Sequence, residues 1–128
     1  MSDRCRILYV DDHEDSAIMF EQLLSLSDYE VTTAATVEQA VALARSKEFD
    51  LYVLDRRLPD GMGADLCREL KQLTPHVPVI LYSGDAYEMH RLEGLKAGAD
   101  AYVPKPHIDK LIDAVHQILF QNACAATA

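Results

Sequence analysis

Residues 51–55 read Leu51-Tyr52-Val53-Leu54-Asp55, four apolar residues in an unbroken run closed by a carboxylate. A strand with one wet face alternates apolar and polar side chains. An unbroken run of this length therefore predicts a strand covered on both faces, as strands of a parallel sheet between two helical layers are. The pattern recurs outward in both directions. Ile7-Leu8-Tyr9-Val10 runs into Asp11-Asp12, Val77 to Tyr82 runs into Ser83-Gly84, and Ala101-Tyr102-Val103 leads to Lys105-Pro106. The fifth segment, Tyr29 to Ala34, alternates over Tyr29-Glu30-Val31-Thr32-Thr33, which assigns it to an edge of the sheet.

Helical spacing fills the gaps between these strands. Val37, Ala40, Val41 and Ala44 follow the second, Met89, Leu92 and Leu95 precede the fifth, and Ile108, Leu111, Ile112, Val115, Ile118 and Leu119 form an apolar stripe after it. Thr36 with Gln39 reads as a capping box, Asp85 with Glu88 as its acidic analogue, and Gly98 as a carboxyl-terminal stop. The alternation is (βα)5, an α/β fold with a doubly wound, five-stranded parallel sheet. A length of 128 residues holds one such domain. It is expected over residues 1–121, with a frayed tail over 122–128.

Twelve basic against 21 acidic residues give a net charge of −9, which repels phosphate backbones and argues against nucleic-acid binding. A cation is the better-matched partner. Cys5, Cys67 and Cys124 make an odd count with no C-x-x-C pair, so no disulfide framework and no structural zinc site is expected. No apolar stretch approaches the roughly 20 residues of a membrane span, and no secretory h-region precedes Ile7. A cytoplasmic protein with no membrane contact is the expectation.

In an open parallel α/β sheet, ligands bind beyond the carboxyl ends of the strands, where the strand order reverses. That rule singles out Asp11 and Asp12 after the first strand, Asp55 after the third, Ser83 after the fourth and Lys105 after the fifth. Singly, each has an ordinary explanation: Asp and Ser form turns and caps, and most lysines are solvated. Together they bring three carboxylates, a hydroxyl and an ammonium to one rim. Like charges held so close raise one another's pKa unless a cation sits among them, and hard oxygen donors suit Mg²⁺. A strand-end carboxylate beside a metal site and a lysine can attack phosphorus and become an aspartyl phosphate. Asp55 fits the nucleophile, because it follows a buried strand directly and precedes a loop, Arg56 to Gly63, whose Pro59, Gly61 and Gly63 set a turn. Asp11 and Asp12, adjacent on a loop, fit metal ligation better than attack. His13 follows the acidic pair, so metal ligation is one reading, but a solvent-facing loop histidine is the favoured one; His76, His90, His107 and His116 show no ligand spacing and read as surface residues. Cys67 falls on a helix face with Leu66 and Leu70 and reads as core, and Tyr82 and Tyr87 read as packing residues first and partner contacts second.

These residues, in this order, resemble the receiver domain of bacterial two-component response regulators, the CheY-like family. The resemblance covers about residues 5 to 120. It rests on Leu8-Tyr9-Val10-Asp11-Asp12, on Asp55 with Pro59 and Gly63 downstream, on Ser83-Gly84, and on Ala97-Gly98-Ala99 leading through Tyr102 to Lys105-Pro106. It implies the flavodoxin-like strand order 2-1-3-4-5. It also implies Mg²⁺-dependent phosphorylation of Asp55 by a sensor histidine kinase or a histidine phosphotransfer protein. Asp12 would be a direct Mg²⁺ ligand, Asp11 a ligand chiefly through water, and the Arg57 carbonyl a third contribution beside Asp55. Ser83 and Lys105 would contact the phosphoryl group. Tyr102 would be the aromatic switch coupled to Ser83, and Pro106 the family's cis proline. The output would be a protein partner, reached through the face of the last two strands and helices.

Two departures from the family pattern matter. Arg57 and Asp85 stand where the family tunes phosphoryl lifetime, and here they carry opposite charges that would allow a salt bridge across the site. The segment from Lys105 to Leu111 is one residue shorter than usual before the last helix. Among other classes, a Mg²⁺-dependent phosphatase resembling the haloacid dehalogenase family needs a second Asp two residues after the nucleophile, and Arg57 stands there. A docking module that is never phosphorylated has no need of Asp11, Asp12, Asp55, Ser83 and Lys105 together. The expected role is signalling, with no catalysis beyond the domain's own phosphorylation and dephosphorylation.

Overall fold

The computed structural model describes residues 5–27, 29–84, 88–105 and 107–121, and of residues 88–90 the backbone alone. The chain runs β1 (Arg6–Val10), α1 (Glu14–Ser25), β2 (Glu30–Ala34), α2 (Val37–Ser46), β3 (Leu51–Leu54), β4 (Arg57–Leu58), β5 (Gly61–Met62), α3 (Gly63–Leu73), β6 (Val79–Ser83), α4 (Glu88–Lys96), β7 (Ala101–Pro104) and α5 (Ile108–Gln121). Five strands form one parallel sheet in the order β2-β1-β3-β6-β7. Counted over the five main strands this is the expected order 2-1-3-4-5, with the alternating segment, β2, at an edge.

The unbroken apolar runs are explained by where successive side chains go. Along β3, Tyr52 and Leu54 join a buried cluster with Leu8, Val10, Val79 and Leu81 against α2 and α3. Leu51 and Val53 point the other way, into a second cluster with Ile7, Tyr9 and Ile80 against Phe20 and Leu24 of α1 and Leu111, Val115 and Leu119 of α5. A period of two between two covered faces leaves no position for a polar residue. Each such side chain contributes roughly 1.5–3 kcal/mol by leaving water, which is what holds the two helical layers on the sheet.

The helix signals are met where they are described. Thr36 Oγ1 accepts the Gln39 N–H at 3.1 Å, while the Gln39 side chain reaches back to Ala35 N at 2.8 Å, one residue beyond an ideal capping box. At the end of α4, Ala99 N–H bonds Gly94 O and Gly98 N–H bonds Leu95 O, and Gly98 takes φ 107°, a conformation that side-chain-bearing residues rarely adopt. The Asp85–Glu88 cap, Met89 on its apolar face and the tail over 122–128 lie outside the described residues or side chains.

Three sequence expectations are corrected. The Arg56–Gly63 segment contains a small antiparallel ladder, Arg57 opposite Met62 and Leu58 opposite Gly61, and two residues per strand are too few to show a period. Val77 is buried but precedes β6, since Pro78 has no N–H to give a ladder. Cys5 is disulfide-bonded, whereas Cys67 is a buried free thiol. An odd cysteine count argues against a fully paired framework but still permits one bond.

Candidate functional site

β1 and β3 are neighbours with Val10 opposite Leu54, so the residues that follow them, Asp11 and Asp55, leave the sheet side by side. The Asp55 N–H donates to Val10 O at 2.9 Å and the Asp11 N–H to Ala34 O at 3.0 Å, which fixes both backbones at the rim. From β1 the chain goes outward to β2 on one side and then to β3 on the other. The crevice between β1 and β3 is thus the point where winding reverses, where open α/β sheets bind ligands.

Both aspartates are nearly buried, at 4% and 6% exposure, whereas Asp12 is exposed. Asp11 is saturated with donors. Its Oδ2 accepts from Lys105 Nζ at 2.6 Å and from the Tyr9 hydroxyl at 2.9 Å; its Oδ1 accepts from His13 N–H at 2.9 Å and faces His13 Nδ1 at 2.8 Å. Burial pushes the Asp11 carboxyl up, but the hydrogen bonds from Lys105 and His13 outweigh it and leave the pKa below the usual value. Tyr9 is driven the other way, far above a normal phenol, by burial first and then by the Asp11 charge beside it. Its ring stacks on Phe20 with centroids 4.3 Å apart, which holds the hydroxyl on the carboxylate.

Asp55 is less well supplied. Its Oδ1 accepts the Arg56 N–H at 2.8 Å, while Oδ2 stands 3.6 Å from both Lys105 Nζ and His13 Nδ1. Burial, which Lys105 only partly offsets and to which the Asp11 charge adds, raises its pKa. A buried carboxylate close to an ammonium but not saturated by hydrogen bonds keeps lone pairs free for an electrophile. Close packing sets its backbone: Gly63 N–H donates to Arg56 O at 2.6 Å, and a Cβ on Gly63 would lie 2.0 Å from Asp55 O.

The other expected residues fall around this centre. Ser83 ends β6, only 3% exposed, and its carbonyl accepts the Lys105 N–H at 2.6 Å, tying the fourth strand end to the lysine. Lys105 Nζ lies 5.5 Å from the Tyr82 ring centroid, and Tyr82 is a buried packing residue as expected. Arg57 is exposed on β4. Tyr102 on β7 pairs with Leu81 and is half-buried against the α2–α3 side of the core. Asp85, Tyr87 and Pro106 lie outside the described residues, as does the expected bridge from Asp85 to Arg57.

Sequence reasoning underweighted His13, misplaced His116 and missed one carboxylate. His13 is no bystander: its Nδ1 faces Asp11 at 2.8 Å, Asp12 at 3.4 Å and Asp55 at 3.6 Å, and the Asp11 hydrogen bond raises its pKa. His116 is half-buried, with Nδ1 2.8 Å from the Tyr29 hydroxyl. Asp60, at the tip of the β4–β5 hairpin, accepts Val37 N–H at 2.8 Å and Glu38 N–H at 3.1 Å, capping α2 from 23 residues away. The Val37 N–H and then the Glu38 N–H hold its carboxyl below the usual range. Adjacency to two aspartates was the available signal for His13; the other two contacts have no local spacing.

Asp11, Asp12, His13 and Asp55 each offer one ligand atom, all within 4.8 Å of one another. Three of those donors are carboxylate oxygens on a rim that otherwise gathers like charge, a donor set that suits a hard divalent cation.

A profile of the response regulator receiver domain matches residues 7–116. The alkaline phosphatase synthesis transcriptional regulatory protein PhoP of Bacillus subtilis (strain 168) is 34% identical over 122 residues, covering 94% of this chain and 51% of PhoP. The transcriptional regulatory protein CpxR of Klebsiella pneumoniae is 37% identical over 115 residues, covering 89% and 49%. The chain spans about half the length of the curated relatives it matches. Among solved structures, a CheY-like receiver domain protein from Methanospirillum hungatei JF-1 matches with a TM-score of 0.85 and 33% identity, covering 94% of this chain and 98% of that one.

Proposed function

Because this chain belongs to the response regulator receiver domain family, we propose that Asp55 is its phosphoacceptor and that phosphorylation there switches a protein-binding face. The observation that carries this reading is the convergence on Asp55 of a second buried carboxylate, an exposed one and one ammonium at the β1–β3 crevice. Asp55 attacks phosphorus of a phosphohistidine on a sensor histidine kinase or a histidine phosphotransfer protein. The O–P bond forms, the N–P bond breaks, and the imidazole leaves with the electron pair and takes up a proton. Lys105, already between Asp11 and Asp55, offsets charge on the phosphoryl oxygens, and Ser83 donates a hydrogen bond to them.

Asp12, Asp55 and the Arg57 carbonyl would hold Mg²⁺ directly, with Asp11 acting chiefly through water because both its oxygens already accept hydrogen bonds. Bound there, Mg²⁺ supplies charge neutralisation for the incoming phosphoryl group. Arg57 and Asp85 are proposed to set the phosphoryl lifetime, and Tyr102 with Ser83 to carry the change to the outer strands. The role is that of a signalling protein whose only chemistry is its own phosphorylation and dephosphorylation. No helix among the described residues is long and apolar enough to cross a membrane, and a cytoplasmic location is the reading that accords with a kinase donor.

Incubation with acetyl phosphate and intact-mass spectrometry test the assignment. One phosphoryl group is expected with Mg²⁺, none with chelator and none on Asp55→Asn. Labelling that survives Asp55→Asn would overturn it.

A further inference from the structure

We propose that His13 is a fourth donor to the cation site, so that a dication with affinity for nitrogen, such as Mn²⁺, Co²⁺ or Ni²⁺, gains binding from it that Mg²⁺ does not. The inference rests on the metal-site reading above and concerns which cation that site prefers.

The geometry is the first reason. Two ligands cis to each other on an octahedral ion, each about 2.1 Å from it, are about 3 Å apart. His13 Nδ1 stands 2.8 Å from Asp11 Oδ1, its hydrogen-bond partner, and also 3.4 Å from Asp12 Oδ1 and 3.6 Å from Asp55 Oδ2, within about 0.6 Å of such an edge to each of the two direct carboxylate ligands. A histidine held as a simple partner of one carboxylate needs only the first contact. The chain sets this placement: His13 precedes α1 with extended backbone, φ −85° and ψ 106°, and its own N–H is tied to Asp11 Oδ1. The side chain is nonetheless 65% exposed, so the ring can shift by the few tenths of an ångström that coordination asks.

The second reason is donor chemistry. Mg²⁺ dehydrates reluctantly and takes oxygen, whereas imidazole adds affinity for Mn²⁺, Co²⁺ and Ni²⁺ in rising order. In the metal-free chain Nδ1 carries the hydrogen shared with Asp11 when the ring is neutral. Coordination at Nδ1 moves that hydrogen to Nε2, on the exposed side, with no net change in protons.

Metal-free native chain, His13→Ala and His13→Asn are titrated separately with Mg²⁺, Co²⁺ and Ni²⁺, using calorimetry and, for Co²⁺, its visible absorption. Expected is a loss of about tenfold or more in Co²⁺ and Ni²⁺ affinity in both variants, with Mg²⁺ affinity within about twofold of native. On the native chain, Co²⁺ should shift the His13 ring signals in the NMR spectrum by tens of parts per million. His13 occupies the N-cap of α1 without a capping side-chain hydrogen bond, so His13→Asn puts a good N-cap residue there, and thermal unfolding of all three proteins separates ligation from lost folding. Equal loss for all three cations, no loss for Co²⁺ and Ni²⁺, or tighter binding in the variants would each overturn the proposal. If the native chain binds none of the three, the metal-site reading itself fails, a result distinct from native binding with unaffected variants.

Discussion

Lys105 Nζ donates to Asp11 Oδ2 at 2.6 Å across 94 residues of chain, joining the end of β7 to the end of β1. Asp55 stands at the same ammonium but 3.6 Å away. One cation is thus shared unequally, and the inequality sorts the two buried aspartates into different states. Asp11, with four donor contacts, is held as an anion, whereas Asp55 ionises less readily and keeps lone pairs to offer.

Lys105→Met keeps the length and apolar stem of the side chain and removes its charge. In chelator near pH 7, urea unfolding should show a loss of about 1–3 kcal/mol, the usual range for a hydrogen bond to a charged group left without its donor. Added Mg²⁺ should recover part of that loss by binding the folded form alone. Unchanged stability in chelator would mean that the ammonium does not compensate the carboxylates.

Asp55 gives a pH dependence of definite sign. Burial raises its pKa, so ionisation is harder in the folded chain than in the unfolded one. The stability linked to this group is full below the ordinary value of 3.8 and is lost as pH rises through the raised folded value. Asp11 runs oppositely: its lowered pKa contributes stability above the ordinary value that is lost as pH falls through the folded one. Asp55→Asn should therefore be more stable than the native chain in chelator near pH 7, and the gap should close as the pH approaches about 4. Denaturation curves at several pH values measure it, and a gap that widens toward acid contradicts the assignment.

Much of this site was legible before any coordinates. The unbroken run Leu51 to Leu54 announced a doubly covered strand, and the strand-end rule then picked Asp11, Asp55, Ser83 and Lys105 for a topological reason. What stayed hidden depends on contacts with no sequence period. Asp60 caps α2 from 23 residues away. Tyr9 reads as one more apolar strand residue until its hydroxyl is seen on Asp11. His13 looked like a solvated loop residue because nothing in the chain states which way an N-terminal helix neighbour turns.

The two loop aspartates should differ in kind. Asp12 is exposed, and among the described contacts its one ion-pair partner is the His13 ring at 3.4 Å, so Asp12→Ala should lose Mg²⁺ affinity with little or no loss of stability in chelator. Asp11→Ala strips partners from Lys105 and from the buried Tyr9 hydroxyl, and should cost about 2–3 kcal/mol of stability while weakening Mg²⁺ less. Metal titration beside urea unfolding of both variants decides this. Equal losses of Mg²⁺ affinity would mean that the two carboxylates share the ion directly.

The final prediction concerns how a change at Asp55 leaves the site. Ser83 and Lys105 are coupled through the Ser83 carbonyl, and two registers back along β6 and β7 Leu81 stands opposite Tyr102. The Tyr102 ring is half-buried beside Gly94 of α4, where a Cβ on the glycine would stand 3.7 Å from ring Cδ2 and collide with Leu81, so the lack of a side chain at Gly94 is what lets Leu81 and Tyr102 pack there. A phosphoryl group adds roughly −1.5 to −2 charge beside Lys105 and Ser83. If those two gain contacts only in the phosphorylated state, β6 and β7 adjust at their ends, and an equilibrium between two placements of Tyr102 is shifted by the difference in contact energy. Amide NMR shifts with Mg²⁺ and beryllofluoride should therefore extend from residues 11–13 and 55–63 to residues 79–83, 91–96 and 101–104. Tyr102→Leu, which keeps an apolar side chain, should leave phosphorylation of Asp55 within about twofold while shrinking the distant shifts. Shifts confined to the loops holding Asp12 and Asp55 would show that the sheet edge does not respond, and the chain would then be a phosphoryl carrier in a relay.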